Sequence, residues 1–347
     1  MLVGIIAASN IRFSPYIFFY TSILDDLNIN YELIYPDRAR VVDDFKKKAY
    51  KVEWKRDINP ALAYMFFASK VKSIAKNERY DFLIVLTGNN VAFLSLWLIN
   101  RYDKKYITDI RDYTHENIKP YYWLERIAIK HSRLNVISSK KFQSFLPEDN
   151  YLVCHNISTA AINRTGEFTK TNGPIVIGYI GKGGYIQECK KLCSLVRDDE
   201  RFEMRIYGMK EVPEELKEFY GCPNISLNGQ FLPAQKANII ESIDILFNVY
   251  GSGIPLLDCA LSNKLYDSFV FVKPILTSPG TYMSEMAGPL SFEVDFSKSE
   301  ILERLYCWYM NIDKADIESY AQRKLQEVVR ENELTREKIK EALLSEM

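Results

Sequence analysis

The chain has 347 residues, 47% of them apolar and 26% charged, which favours two folded domains of ordinary size over disorder. Lys plus Arg and Asp plus Glu both number 45, so no global field draws in nucleic acid and a polyanionic partner has to be argued from a local patch. Six cysteines, at 154, 189, 193, 222, 259 and 307, lack paired CxxC spacing and read as reduced core residues, neither zinc ligands nor a redox pair.

The opening MLVGIIAASN predicts a strand near 2–8, because its apolar run has no basic residue ahead of it as a secretory signal would. Ser9, Asn10 and Arg12 follow in a loop, then a helix near 15–27 and a strand near 31–35. Residues 46–76 hold nine Lys or Arg against two acids, with Tyr50, Trp54, Tyr64, Phe66 and Phe67 among them. Such a mixture suits an anionic membrane surface, where each basic residue contributes about 1 kcal/mol. The alternative is a solvated loop leading into a core helix over 61–76; nucleic acid is disfavoured because no recognised motif accompanies the patch.

A strand near 82–87 leads into a helix near 90–101, whose longest apolar run, 91–99, is about half the length of a bilayer span. The expectation is a cytoplasmic protein, with peripheral contact to the inner face of the plasma membrane through 46–76. After a strand near 105–109, the segment DIRDYTHE supplies Asp109, Arg111, Asp112, His115 and Glu116 within eight residues. That density of titratable groups at a strand end suits acid–base chemistry. Alternatively Asp109 and Arg111 pair to fix the loop, and Asp112 caps the helix near 120–131. A strand near 133–137 closes this half, and His155 reads as a hinge histidine bonded to backbone.

Residues 158–174 are poor in large apolar side chains and end in Asn-Gly-Pro, as an exposed connection would. They separate domains at 1–157 and 175–312, and the charged tail 313–347 reads as one or two solvated helices. The second half places strands near 175–180, 203–207, 224–227, 244–249, 274–277 and 290–294. Strands alternating with amphipathic stretches predict an α/β fold of two Rossmann-like domains facing a central cleft, with ligands outside the carboxyl ends of the strands.

Two features of the second half point to phosphate. Gly181, Lys182, Gly183 and Gly184 turn the chain from strand to helix, which permits close backbone approach and offers free N–H groups and a positive dipole end. The alternative is a steric turn, since GxGxxG is absent. A helix over 257–269 puts Lys264 and Asp267 three apart on one face, a cation for a diphosphate beside an acid for ribose hydroxyls. The alternative there is a surface ion pair worth tenths of a kcal/mol.

The ordered motifs GYIGKGG, RFEMRIYG, PNISLNGQF, SIDILFNVYG and NKLYDSFVFVKPILTS, running from 178 to 278, resemble the donor domain of GT-B glycosyltransferases. The likeness is to the family-four-like enzymes of bacterial capsule and O-antigen synthesis. It implies that Lys264 binds phosphate and Asp267 ribose, with Asn263 and Leu265 beside them. By the same resemblance Tyr207 and Gly229 lie around base and sugar, Tyr250 near the diphosphate, and the Asp-x-Arg-Asp segment with Asp112 and His115 on the acceptor side, where Ser9, Asn10 and Arg12 are further candidates in an acceptor-binding loop. Asp267 replaces the usual Glu, Lys182 the usual Arg, Val272 the usual Gly, and Cys259 a second Glu. The resemblance implies a UDP- or GDP-sugar donor, no further cofactor, retention of configuration and a glycan or lipid-linked acceptor. The absence of any Asp-x-Asp triplet agrees with a metal-independent reaction. A nucleotide-sugar 2-epimerase of the same shape and a non-catalytic sugar-binding protein are the rivals, and a dinucleotide oxidoreductase is weakened by the missing glycine fingerprint.

Overall fold

The computed structural model describes residues 1–41, 44–157 and 166–347. It divides into two compact units, Met1–Asn156 with Arg330–Met347, and Ile157–Val329. Part of the connection expected at 158–174, residues 158–165, lies outside the described residues.

The first unit is built on a parallel sheet of seven strands in the order β3-β2-β1-β4-β5-β6-β7. They are β1 (Leu2–Ile6), β2 (Asn30–Asp37), β3 (Ala49–Glu53), β4 (Phe82–Leu86), β5 (Tyr106–Ile110), β6 (Leu134–Ile137) and β7 (Tyr151–Val153). Central strands such as FLIVL are buried at every position, as parallel strands covered on both faces must be. Their period of two divides the core: Ile5, Leu33 and Ile84 belong to one cluster, and Ile6, Ile34, Leu83 and Val85 to the other. Tyr20 of α1 (Ile17–Asp26) packs in the first cluster. Helices α2 (Pro60–Glu78), α3 (Gly88–Tyr102) and α4 (Lys119–His131) contribute Val71, Leu94, Leu98 and Ala128 to the second. Asn59 caps α2 by accepting from the Ala61 N–H at 2.9 Å, with Pro60 just inside.

Strands β3 and β7 were not anticipated. β3 is an edge strand with one buried side chain, Val52, and its lysines mask it as a solvated loop; β7 has three residues.

The second unit carries six parallel strands in the order β10-β9-β8-β11-β12-β13: β8 (Ile175–Ile180), β9 (Phe202–Tyr207), β10 (Ile225–Leu227), β11 (Ile245–Asn248), β12 (Ile275–Thr277) and β13 (Ser291–Glu293). Its helices are α5 (Ile186–Val196), α6 (Lys236–Glu241), α7 (Pro255–Cys259), α8 (Asn263–Phe271), α9 (Tyr282–Ala287), α10 (Ile301–Met310) and the part of α11 (Lys314–Leu344) up to Val329, the rest of which belongs to the first unit. The α/β class and the paired parallel sheets agree with the sequence reading. Strand order reverses between β1 and β4 in one sheet and between β8 and β11 in the other, which is where open α/β sheets bind ligands.

Two helical expectations need correction. The helix expected over 257–269 is two helices, because the chain leaves α7 at Ala260 in an extended conformation and Ser262 starts α8 afresh, accepting from the Lys264 N–H at 3.3 Å. Lys264 therefore stands in a first turn. The tail is a single helix of 31 residues and is not wholly solvated. Ile317, Ala321 and Val328 are buried in the second unit's core, and Ile339 and Leu343 in the first unit's. Of the six cysteines expected in the core, four are buried, whereas Cys222 is half-buried and Cys307 exposed.

Candidate functional site

From the reversal point of the second sheet toward its edge, the ends of β8, β9 and β10 are laced by glycines. The Gly181 N–H donates to Tyr207 O at 3.0 Å, and the Gly208 N–H to Gly229 O at 2.6 Å. Gly208 has φ +100°, and a Cβ there would stand 2.7 Å from Gly181 O, so only glycine fits. The turn after β8 is closed by Tyr179, whose hydroxyl accepts from the Gly183 N–H at 3.2 Å and donates to Gly184 O at 2.8 Å. Lys182 is exposed on this turn, and α5 begins after it at Ile186.

The chain leaving β11 contributes Tyr250, held because its N–H and that of Gly251 both donate to Ser278 Oγ, at 3.0 and 2.8 Å. Its ring stacks on Tyr185 with centroids 4.2 Å apart and 17° between planes. Lys264 reaches this pair from α8. Its Nζ donates to Tyr250 Oη at 2.6 Å and lies 5.1 Å from the Tyr250 ring centroid and 5.7 Å from that of Tyr179. Burial pushes the ammonium down to about 8, against the pull of Asp267. The Ser262 cap is itself fixed, donating to Asn248 Oδ1 at 2.6 Å.

Asp267 does not pair with Lys264. Its carboxylate is held by Lys236 of α6 at 2.8 Å (Oδ1) and 2.7 Å (Oδ2). Burial pushes its pKa up, while Lys236 and then Lys264 pull it down. The structure thus gathers Gly181, Gly183, Gly184, Tyr250 and Lys264 around the ends of β8 and β11, with Tyr207 bound to Gly181 and Gly229 to Gly208 through backbone, and Asp267, one turn along α8 from Lys264, held by Lys236. Asn263 is exposed at the start of α8. Leu265 is fully buried in the core, so its side chain cannot serve a ligand. Tyr179, Tyr185, Lys236 and Ser278 were missed, because residues far apart in sequence converge only through the sheet order.

In the first unit, Asp109 and Arg111 are structural. Asp109 is fully buried, and its Oδ2 accepts from Tyr20 Oη and from Arg111 Nη2, both at 2.7 Å. Arg111 also donates to Cys154 O at 2.8 Å and covers the Tyr16 ring at 5.0 Å. This buried pair braces the loop that exposes Asp112 and His115. Asp112 caps nothing: the residue before α4 is Ile118, and no side chain caps that helix. The protein around Asp112 pushes its carboxyl up to about 6, with Arg111 lowering it and Glu116 raising it, and contact with solvent screens part of that push. Thr114 joins the loop to α4: its N–H donates to Glu116 Oε2 at 2.6 Å and its Oγ1 lies 2.7 Å from Tyr121 Oη.

Other candidates are engaged elsewhere. Asn10 is buried, donating to Asp37 Oδ1 at 2.8 Å and accepting from the Ala39 N–H at 2.9 Å. His155 bonds through Nε2 to Glu331 Oε2 of α11 at 2.6 Å, so a side chain rather than backbone alone meets this ring. The basic stretch 46–76 is partly neutralised: Lys48 pairs with Glu78 at 2.8 Å and Glu32 at 3.1 Å, Lys51 with Asp37 at 2.9 Å, and Lys55 with Glu53 at 2.9 Å. Among the described residues, no group of three or more His, Cys, Asp or Glu side chains is placed to hold a metal, and no helix is long and apolar enough to cross a membrane.

No protein-family model and no curated protein matches the chain. Solved structures match along its length. Sucrose-phosphate synthase from Thermosynechococcus elongatus has a TM-score of 0.73 at 7% identity, covering 100% of both chains. Anabaena HepE in complex with UDP and glucose has 0.66 at 12%, covering 97% of this chain and 98% of its own. UDP-GlcNAc 2-epimerase from Neisseria meningitidis bound to UDP-GlcNAc has 0.65 at 15%, covering 99% and 100%. At these identities the likeness is one of fold, the two-sheet α/β architecture of GT-B glycosyltransferases, which transferases and epimerases share.

Proposed function

We propose that the chain is a glycosyltransferase that moves a sugar from a UDP- or GDP-sugar to a hydroxyl of a glycan or lipid-linked oligosaccharide, as in capsule or O-antigen synthesis. The observation that carries the reading is the desolvated ammonium of Lys264 at the reversal point of the second sheet. A half-buried cation at the place where such sheets bind ligands is matched to a diphosphate. HepE and the epimerase, with UDP and a UDP-sugar in complexes of this fold, support the same ligand class here.

In this mechanism the bond between the anomeric carbon and the diphosphate oxygen breaks, and its electron pair leaves with the diphosphate. Lys264, Lys182 and the N-terminus of α5 stabilise that charge, with no metal required. Asp267 accepts from ribose hydroxyls while Lys236 keeps it ionised. The acceptor oxygen bonds to the anomeric carbon and its proton passes to Asp112, with His115 beside the acceptor. Transfer requires the two units to bring donor and acceptor together during the reaction. Residues 1–157 serve the acceptor, 175–312 the donor, 158–174 join them, and 313–347 form the closing helix.

Retention of configuration and action as a peripheral protein on the inner face of the plasma membrane belong to the same proposal. The epimerase is the second reading, favoured by its shared fold. Incubation with a panel of UDP- and GDP-sugars separates the two: nucleotide release dependent on an acceptor supports transfer, and an epimerised sugar without acceptor supports the rival.

A further inference from the structure

Beyond the ion pairs made by Lys48, Lys51 and Lys55, exposed basic and apolar residues gather on the outer side of the helices that cover one face of the first sheet. α3 packs against both α2 and α4, so the three helices form one continuous layer. Their outward residues follow helical stripes. On α4 the stripe is Lys119, Trp123, Arg126 and Lys130, spaced by four, three and four and all exposed. On α2 it runs through Leu62, Met65, Ser69, Ser73 and Lys76, and on α3 through Leu96 and Asn100, again all exposed.

The large apolar side chains here are turned outward: Leu62 is 53% exposed, Met65 57%, Leu96 52%, Trp123 54% and Ile118, at the start of α4, 49%. Folding does not use them. The same helices present Lys70, Lys76, Arg101, Lys119, Arg126 and Lys130 to solvent, and none of the three carries an exposed acid. α3 has no acid at all, Glu125 of α4 is fully buried, and Glu78 of α2 is engaged by Lys48 and Tyr50. The acids nearest the helix ends are Asp57, which follows Lys55 and Arg56 in sequence, exposed Asp81, which accepts from the Leu2 N–H at 2.7 Å, Asp103, which bonds His131 at 2.8 Å, and buried Glu116.

We infer that the outer face of α2, α3 and α4 is a docking surface for an anionic lipid bilayer. Three helices with apolar tips and positive charge but no exposed carboxylate within them match a surface of negative headgroups over hydrocarbon. Trp123, flanked on its stripe by Lys119 and Arg126, suits the boundary itself, an amphipathic ring beside cations that reach the headgroups. A protein partner would need its own acids matched to these positions. A bilayer needs only charge and depth. The face takes in the helical part of the basic stretch noted in the sequence and adds α3 and α4, which that reading did not single out.

The test uses the full chain and vesicles of phosphatidylcholine with or without phosphatidylglycerol. The wild type is expected to co-sediment with the phosphatidylglycerol vesicles and to be released by salt, as an electrostatic contact is. R126E/K130E and L96S/W123S are each expected to weaken binding about tenfold, at unchanged circular dichroism and melting temperature. Failure of the wild type to bind these vesicles, or unchanged binding by both variants, overturns the inference. So does a wild-type dimer without lipid that either variant converts to monomer, which assigns the face to a second copy. UDP binding by calorimetry runs in parallel: vesicle binding without nucleotide binding refutes the donor site and leaves this surface standing.

Discussion

The Nζ of Lys264 donates to the hydroxyl of Tyr250 at 2.6 Å, so the desolvated cation has a protein acceptor that a diphosphate oxygen would replace. A hydrogen bond to a charged group contributes about 1.5–3 kcal/mol. Tyr250→Phe keeps the ring stacked on Tyr185 and removes the acceptor. Its melting temperature is expected to fall, by about 1.5–3 kcal/mol of stability, and the thermal shift on adding UDP to grow, because the ligand then supplies a bond the protein lacks. An equal or smaller shift would mean that the hydroxyl and the ligand do not share the ammonium.

Burial holds Lys264 down to about 8, which gives donor affinity a pH dependence of fixed sign. The ammonium is present below that value and lost as pH rises through it, so UDP affinity should be level near neutrality and fall above pH 8. Bound phosphate favours the protonated form, so binding near that pH takes up a proton, visible by calorimetry in buffers of different ionisation enthalpy. Lys264→Arg should flatten the profile. Affinity that stays level well above pH 8 in the wild type contradicts the assignment.

Asp112 is assigned the proton of the acceptor hydroxyl, and its carboxyl is pushed up to about 6. Asp112→Asn should lower the transfer rate by about 10²–10⁴ while leaving UDP affinity intact, since the donor site lies on the other unit. In the wild type the rate should rise with pH through about 6, and the variant should lose that limb. Loss of nucleotide affinity in Asp112→Asn would argue against this division of labour.

Burial raises Glu331, but hydrogen bonds from His155 and then Lys140 win and hold it down to about 2. A depressed carboxylate stabilises the fold above its unfolded pKa, and that stability is lost as pH falls through the folded value. Between about pH 4.3 and the folded value near 2 the wild type should therefore lose on the order of 2 kcal/mol more than Glu331→Gln, after discounting for solvent. Acid unfolding of the two proteins followed by circular dichroism checks this; parallel curves would sink it.

The parts of this molecule legible from sequence were those whose physics is local. Buried runs such as FLIVL and IVIGYI could only be central strands, and glycines at 181–184 could only mark a turn. The edge strand β3 was hidden because one buried side chain gives no period. The break between α7 and α8 was hidden because Ser262 reads equally well inside a helix and at its cap. In the candidate site, the resemblance singled out Lys264, which the structure brings to Tyr250. Lys236 was not legible, since nothing local ties it to Asp267 across 31 positions. The charge balance of the basic stretch was hidden for the same reason: the counter-charges of Lys48 and Lys51, which are Glu32, Asp37 and Glu78, lie outside it.

The central claim, that the ammonium of Lys264 grips the diphosphate of a nucleotide sugar, is tested most directly by calorimetric titration of the wild type and Lys264→Ala with UDP and GDP. The account predicts that the wild type binds one of them and that the alanine variant, with an unchanged fold, binds it about 10- to 100-fold more weakly. Equal affinity in the two proteins, or no nucleotide binding by the wild type, would contradict it.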